Sequence, residues 1–192
     1  MAKFKVVHLN LGSLFVIKTN RLYFPALAMV LLFFCAGFVF YNQIKHSFTE
    51  FVVHELEIEI DNVTLSMITA LPEFESKVVN DYLHLIPFAE RRQRFTLIDL
   101  EGNVIADSSL SLVQIDRLAN HSERPEFLEA FKNGIGTHIR LSKSKGVEYI
   151  YTAKPFYSEK FNGIARLAMP LEYVDKTIHA FMLTFVCSGI VN

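Results

Sequence analysis

The chain has no tryptophan and only two cysteines, Cys35 and Cys187. Both fall inside apolar runs, so the stretch between them carries no disulfide framework and no cysteine metal site. A stretch of roughly 130 residues can bury enough core without such staples. Acidic residues are missing from residues 1–49, because all 20 Asp and Glu lie between Glu50 and Asp175. A formal net charge of -1 argues against nucleic acid as a partner, since phosphate binding needs a clear cationic excess. No Gly-rich nucleotide loop is present: Gly134 and Gly136 are a bare pair in a turn before a strand. Internal repeats and low-complexity stretches are absent as well.

What the chain does have is phenylalanine, 18 residues of it, and one long apolar run. Residues 22–41, LYFPALAMVLLFFCAGFVFY, contain no charge. At about 1.5 Å rise per residue a helix of that length spans roughly 30 Å, the hydrocarbon thickness of a bilayer. Tyr23 and Tyr41 lie at its ends, where amphipathic rings favour the interface. A cleaved signal peptide fits less well, because its apolar stretch is typically only about 7–15 residues. Lys3, Lys5, Lys18 and Arg21 precede the run with no acid among them. That asymmetry predicts residues 1–21 as a cytoplasmic tail, 22–41 as a transmembrane helix and 42–176 as an extracytoplasmic domain at a bacterial inner membrane. Residues 179–191 are again apolar but too short to span. They predict residues 177–192 as the start of a second transmembrane helix cut in its middle, and the chain as a fragment or an early-terminated product of something longer.

Within the exported region, Phe48, Val52, Leu56, Ile60, Val63, Met67 and Leu71 recur at three- and four-residue steps, which predicts a helix continuing out of the bilayer. Residues 55–61 alternate with period two, as a strand would. The longer register and the lack of Gly or Pro before Pro72 favour helix. A second amphipathic helix is expected over 73–90, disturbed by Pro87. Residues 94–99 and 104–107 flank the turn signal Glu101-Gly102-Asn103 and predict a β-hairpin. A short helical stretch around 115–121 and a helix over 125–132 follow, the second with Pro125 in its first turn and Asn133-Gly134 at its end. Strands are expected at 137–142, 147–156 and 163–170. The predicted fold class is α+β, with a five-stranded antiparallel sheet and a long N-terminal helix, flanked by transmembrane helices.

The run RFTLIDLEGNVIADS (94–108), the segment NHSERPEFLEAFKNGIGTHIRLS (120–142), YIYTAKPF (149–156) and GIARLAMPL (163–171) occur in an order that resembles the PAS-like, single-Cache sensor domains of phosphate-regulon-type sensor histidine kinases. The resemblance covers about residues 94–171. It implies a two-component sensor: a homodimeric receptor anchored in the lipid bilayer, passing a ligand or partner signal to a cytoplasmic kinase half and from there to a response regulator. This chain contains neither the phospho-accepting helix nor the ATP-binding domain. Receptors with a chemotaxis or cyclic-di-nucleotide output, and a stand-alone membrane-anchored binding protein, remain alternative readings. Dimerisation is expected through the helical stripe 48–71.

No catalytic constellation is visible. His54-Glu55 starts a His-Glu-x-x-x-Pro box but has Glu59 where Pro is needed, and His121 has Pro125 one residue too early. Histidines 54, 84, 121 and 138 show no metal-ligand spacing. The acids Glu55, Glu57, Glu59 and Asp61 spread around a helix axis as a solvated face. Neither a metal nor a cofactor is therefore expected in this chain. The cationic set carries more information. Strand alternation puts His138, Arg140 and Ser142 on one face, and on the neighbouring strand Tyr149, Tyr151 and Ala153 on one face with Lys154 opposite. His121, Arg124, Arg140, Ser142, Tyr151, Lys154 and Arg166 are the candidate ligand-binding residues, a positive lining suited to a small carboxylate or phosphate. The alternative is that Arg124 and Arg140 pair internally with acids such as Asp107 and Glu126. The partner at this site is either a small anionic ligand or an extracytoplasmic protein.

Overall fold

A computed structural model describes residues 11–142 and 146–190. The first ten residues of the expected cytoplasmic tail, part of the turn expected at 143–146, and the last two residues lie outside the described residues. By internal contacts the chain divides into residues 1–44 and 45–192. In the first unit, helix α1 (Leu11–Ala70) carries the apolar run. Phe24, Phe33 and Phe38 are all more than two-thirds exposed. Among the described residues this is the one helix long and apolar enough to cross a bilayer. An apolar surface on every side is what a lipid-facing helix needs and what a water-facing one avoids.

The second unit takes over α1 at Lys45 and continues with α2 (Ser76–Leu85), β1 (Arg94–Asp99), β2 (Val104–Asp107), α3 (Leu112–Ile115), α4 (Pro125–Asn133), β3 (Gly136–Leu141), β4 (Glu148–Tyr157), β5 (Asn162–Pro170) and α5 (Leu171–Ile190). The five strands form one antiparallel sheet in the order β2-β1-β5-β4-β3. The hairpin and the three-stranded meander of the sequence reading join through β1 and β5, with Phe95 opposite Leu167 and Thr96 opposite Arg166.

Alternation along the strands gives the sheet two different faces. One carries Phe95, Leu97, Leu167, Ile150 and Thr152, all fully buried. Helices α1 and α2 lie on this side: Lys154 pairs with Asp61 of α1, and Phe88, just after α2, stacks on Phe95 at 5.7 Å. Of the predicted stripe, Val52, Leu56, Ile60, Val63, Met67 and Leu71 are buried and Phe48 is half-buried, each large buried side chain contributing about 1.5–3 kcal/mol. That corrects the expected dimer surface, because the stripe is consumed by the chain's own core.

The other face carries Arg94, Thr96, Ile98, Ile164, Arg166, Ala168, Tyr149, Tyr151 and Ala153. Helix α4 covers half of it, through a cluster of Ile98, Phe127, Ala130, Ala153 and Ile164. Gly136 sets this contact, since a Cβ there would collide with the Glu126 carbonyl oxygen. The short helix expected at 115–121 forms earlier, at Leu112–Ile115, because the Gln114 side chain accepts the Ser111 N–H at 2.9 Å and caps the turn. Helix α2 is shorter than 73–90: it ends at Leu85, before Pro87.

Candidate functional site

The half of the sheet face that α4 leaves uncovered forms a cavity of ≈ 250 Å³. Arg94, Arg166 and Ala168 line its floor with Tyr149 and Tyr151; Arg140 and Ser142 stand at the β3 side; Leu118, Ala119, His121 and Arg124 close it from the α3–α4 loop. Of the seven candidate residues, six are brought together here. Lys154 is not, because its strand position points to the α1 face, where Asp61 holds it.

Local folding fixes the loop that carries His121. Gly102, at φ 87 in the β1–β2 turn, accepts the His121 N–H through its carbonyl at 2.7 Å. The Asn120 side-chain amide donates to the Glu101 carbonyl at 2.9 Å and to Asn103 Oδ1 at 3.0 Å. A Cβ on Gly102 would collide with the Ser122 nitrogen, so glycine is needed for both conformation and space. The hairpin turn therefore clasps the loop and seats the imidazole.

Two buried carboxylates organise the cations. Asp107 is fully buried and accepts from Arg94 Nε at 2.8 and 3.0 Å, from the Thr96 hydroxyl at 2.9 Å, and from the N–H and hydroxyl of Ser109 at 3.0 and 2.8 Å. Glu126, also fully buried, accepts from Arg140 at 2.7 and 3.2 Å and from Arg166 at 3.2 Å. Burial alone would raise the Glu126 pKa. The hydrogen bond from Arg140 and the charges of Arg166 and Arg140 outweigh it and hold the carboxyl below its ordinary value. Burial lowers the Arg166 pKa against the opposing charge of Glu126. For Arg140, the hydrogen bond and charge of Glu126 overcome burial and raise the pKa. The Tyr151 ring lies 3.9 Å from the Arg140 guanidinium and 5.2 Å from that of Arg166, a further stabilising contact for both cations.

The internal pairing weighed from sequence is thus present for Arg140, and Arg166 shares its carboxylate. Arg124 is different: among the described residues no carboxylate lies in salt-bridge range of it. Four guanidinia line the cavity and two carboxylates offset them, which leaves a positive excess. Two polar atoms of lining residues are buried with no hydrogen-bond partner, His121 Nδ1 and Arg166 Nε. Their residues are 7% and 4% exposed. Arg166 Nε–H is always a donor, whereas Nδ1 of a neutral imidazole donates or accepts according to its tautomer. Among the described residues no group of three or more His, Cys, Asp or Glu is placed to hold a metal ion.

Arg94 and Tyr149 were missing from the sequence-derived set. Tyr149 shares the strand alternation of Tyr151 and was legible from it. Arg94 enters only through the β1–β5 register, which sets it opposite Ala168.

No protein-family model and no curated protein sequence matches the chain. Solved structures do. The ligand-binding domain of the Campylobacter jejuni chemoreceptor Tlp3, in complex with 4-methylisoleucine, is similar at 17% identity and TM-score 0.53, over 70% of this chain and 57% of that one. The ligand-binding domain of the amino-acid chemoreceptor PctC of Pseudomonas aeruginosa, in complex with GABA, is similar at 15% identity and TM-score 0.53, over 71% and 63%. The extracellular domain of a candidate histidine kinase is similar at 18% identity and TM-score 0.50, over 72% and 59%. The chain spans less than two thirds of the length of each. What it shares with them is the fold, a long N-terminal helix on a five-stranded antiparallel sheet, of the PAS-like, Cache type.

Proposed function

We propose that this chain is the input portion of a membrane-anchored bacterial receptor and that its cavity binds a small oxyanion. The observation that carries this is the cationic excess of the lining, four guanidinia against two carboxylates, with no carboxylate among the described residues in salt-bridge range of Arg124. A guanidinium with Tyr and Ser hydroxyls matches a carboxylate or phosphate, whose oxygens accept several donors at once. The class of ligand is narrower than that of the neighbours crystallised with 4-methylisoleucine or GABA, both of which carry an ammonium group. An ammonium needs an acceptor with free lone pairs. Here Asp107 already accepts five hydrogen bonds, from Arg94, Thr96 and Ser109, and Glu126 three, from Arg140 and Arg166, so the charge of each acid is already met by arginine.

The test is thermal unfolding of the whole chain in non-ionic detergent with sulfate, lactate, glycine or GABA added. Ligand at about 100 times its dissociation constant stabilises by about 2.7 kcal/mol. Sulfate or lactate should raise the midpoint and the amino acids should not. Arg124→Gln should weaken the anion about tenfold or more, the loss of one charge-assisted hydrogen bond. If no anion stabilises the wild type, or Arg124→Gln responds equally, the anion site is wrong.

Among receptors, a phosphate-regulon-type histidine kinase acting on a response regulator is the output that the sequence resemblance favours. A His-Glu-x-x-x-Pro helix in the cytoplasmic continuation of the gene product would support it, and a chemotaxis or cyclase output there would replace it. The receptor is read as a homodimer whose copies meet through an α1 face distinct from the buried stripe. Phe51, Ile58 and Leu65 recur every seven residues and are 56%, 43% and 64% exposed, an apolar line along α1 outside the buried stripe.

A further inference from the structure

We propose that the cavity takes up its oxyanion together with one proton, which settles on His121; the inference rests on the anion-binding reading above. The groups facing the imidazole come from every side of the cavity. Strand β5 brings Arg166, the residue before α4 brings Arg124, α4 brings Glu126 and β3 brings Arg140. Strand β4 adds the Tyr149 and Tyr151 rings to the wall. Three guanidinia therefore oppose one carboxylate, and the oxygens of that carboxylate are held by Arg140 and Arg166. The His121 backbone is tied to Gly102, which fixes its Cα beside the cavity, and the residue is buried. Its Nδ1 is buried and lacks a partner.

In the chain alone the field at this ring is that of its guanidinia. Burial first, then the charges of Arg166 and Arg124, lower the imidazole pKa to about 3 against the opposing pull of Glu126. The ring is then neutral at ordinary pH. An oxyanion seated among the guanidinia reverses that field. A unit charge about 4 Å away, at an effective dielectric of about 20, changes a proton's binding constant about a thousandfold. Ionisation of the ring in the complex then falls near pH ~6. The imidazolium adds one positive charge to the lining and attracts the anion that raised its pKa. The proton comes from solvent and remains on nitrogen, and no covalent bond forms or breaks. Because the pKa is higher in the complex than in the free chain, the proton-linked gain in affinity is full only below about pH 3 and is lost as pH rises through about 6.

The deciding measurement is isothermal titration calorimetry of sulfate and of lactate into the whole chain in non-ionic detergent. It is run at pH 5 and pH 7, each in two buffers of different ionisation enthalpy. Both anions stay ionised over this range, so any proton taken up goes to the protein. About tenfold tighter binding is expected at pH 5, with about 0.9 proton taken up per anion there and about 0.1 at pH 7. His121→Gln keeps a polar side chain that does not titrate, and should bind with the same affinity at both pH values and no proton uptake. Equal wild-type affinity at the two pH values, or a pH effect that persists in His121→Gln, overturns the proton coupling while the anion site stands. Absence of binding by either anion at either pH overturns both. Should the variant not fold, the wild-type proton count decides alone: uptake at pH 5 supports the coupling, and none there overturns it. Coupling seen with only one of the two anions supports the proposal and tells an inorganic ligand from a carboxylic acid.

Discussion

Glu126 holds the site together at the scale of single residues. It is the fully buried acceptor for two guanidinia, and truncating one partner of such a pair leaves uncompensated charge behind. Glu126→Gln should therefore cost about 3–5 kcal/mol at neutral pH, measured by denaturant unfolding. Its pKa is depressed in the fold, so its contribution is fully present above the unfolded value of about 4.3 and is lost as pH falls through the lower folded value. The difference between wild type and variant should accordingly shrink on acidification below about pH 4. The sequence offered Arg140 and Arg166 as candidates by strand alternation but could not say whether they bind or brace. That choice depends on Glu126, which sits 14 and 40 residues away along the chain and meets them only after folding. Lys154 failed to join for a reason already legible in the strand period: it alternates with Ala153 and Pro155 and belongs to the opposite face.

Elements were the most readable level, because periodicity and turn chemistry are local. Strands β1 and β2 form where the alternation and the Glu101-Gly102-Asn103 turn predicted them, and α4 runs from Pro125 to one residue beyond the expected end. The β1–β5 pairing that closes the sheet was not readable, since it joins segments some 70 residues apart with no turn between them. Helix α1 shows how one element can serve two roles on two faces. Leu56 and Met67 are wholly buried, whereas Phe51, Ile58 and Leu65 are exposed. If the exposed seam meets a second copy, Ile58→Asp should reduce the mass of the whole chain in detergent, measured by light scattering, from dimer to monomer. A surface change of this kind should leave stability within about 0.5 kcal/mol. A dimer that survives Ile58→Asp would remove α1 as the contact.

Across the whole molecule, the cavity and the last helix share a strand. Arg166 and Ala168 line the cavity, and β5 ends at Pro170, where α5 begins without a connecting loop. Leu171, Val174 and Ile178 pack the start of α5 into the domain. If the proposed anion tightens β5, it would act on a helix that begins at the next residue. Hydrogen exchange with and without sulfate should show slower exchange in 163–178 and little change in α2. Equal protection in both states would separate binding from any motion of α5.

If the cavity binds an oxyanion as proposed, the arginine pairing of Asp107 and Glu126 also limits how its ligand can change. Size and shape of the ligand are open to single substitutions at Leu118, Ala119 or Tyr149, which carry no buried charge. Ligand charge is not. To accept an ammonium, a carboxylate must be released, and removing the arginine that fills it strands a buried acid before any new ligand arrives. On that reading the site would drift readily among acids, whereas a move to amino acids would need two coordinated changes, the first of them harmful by itself.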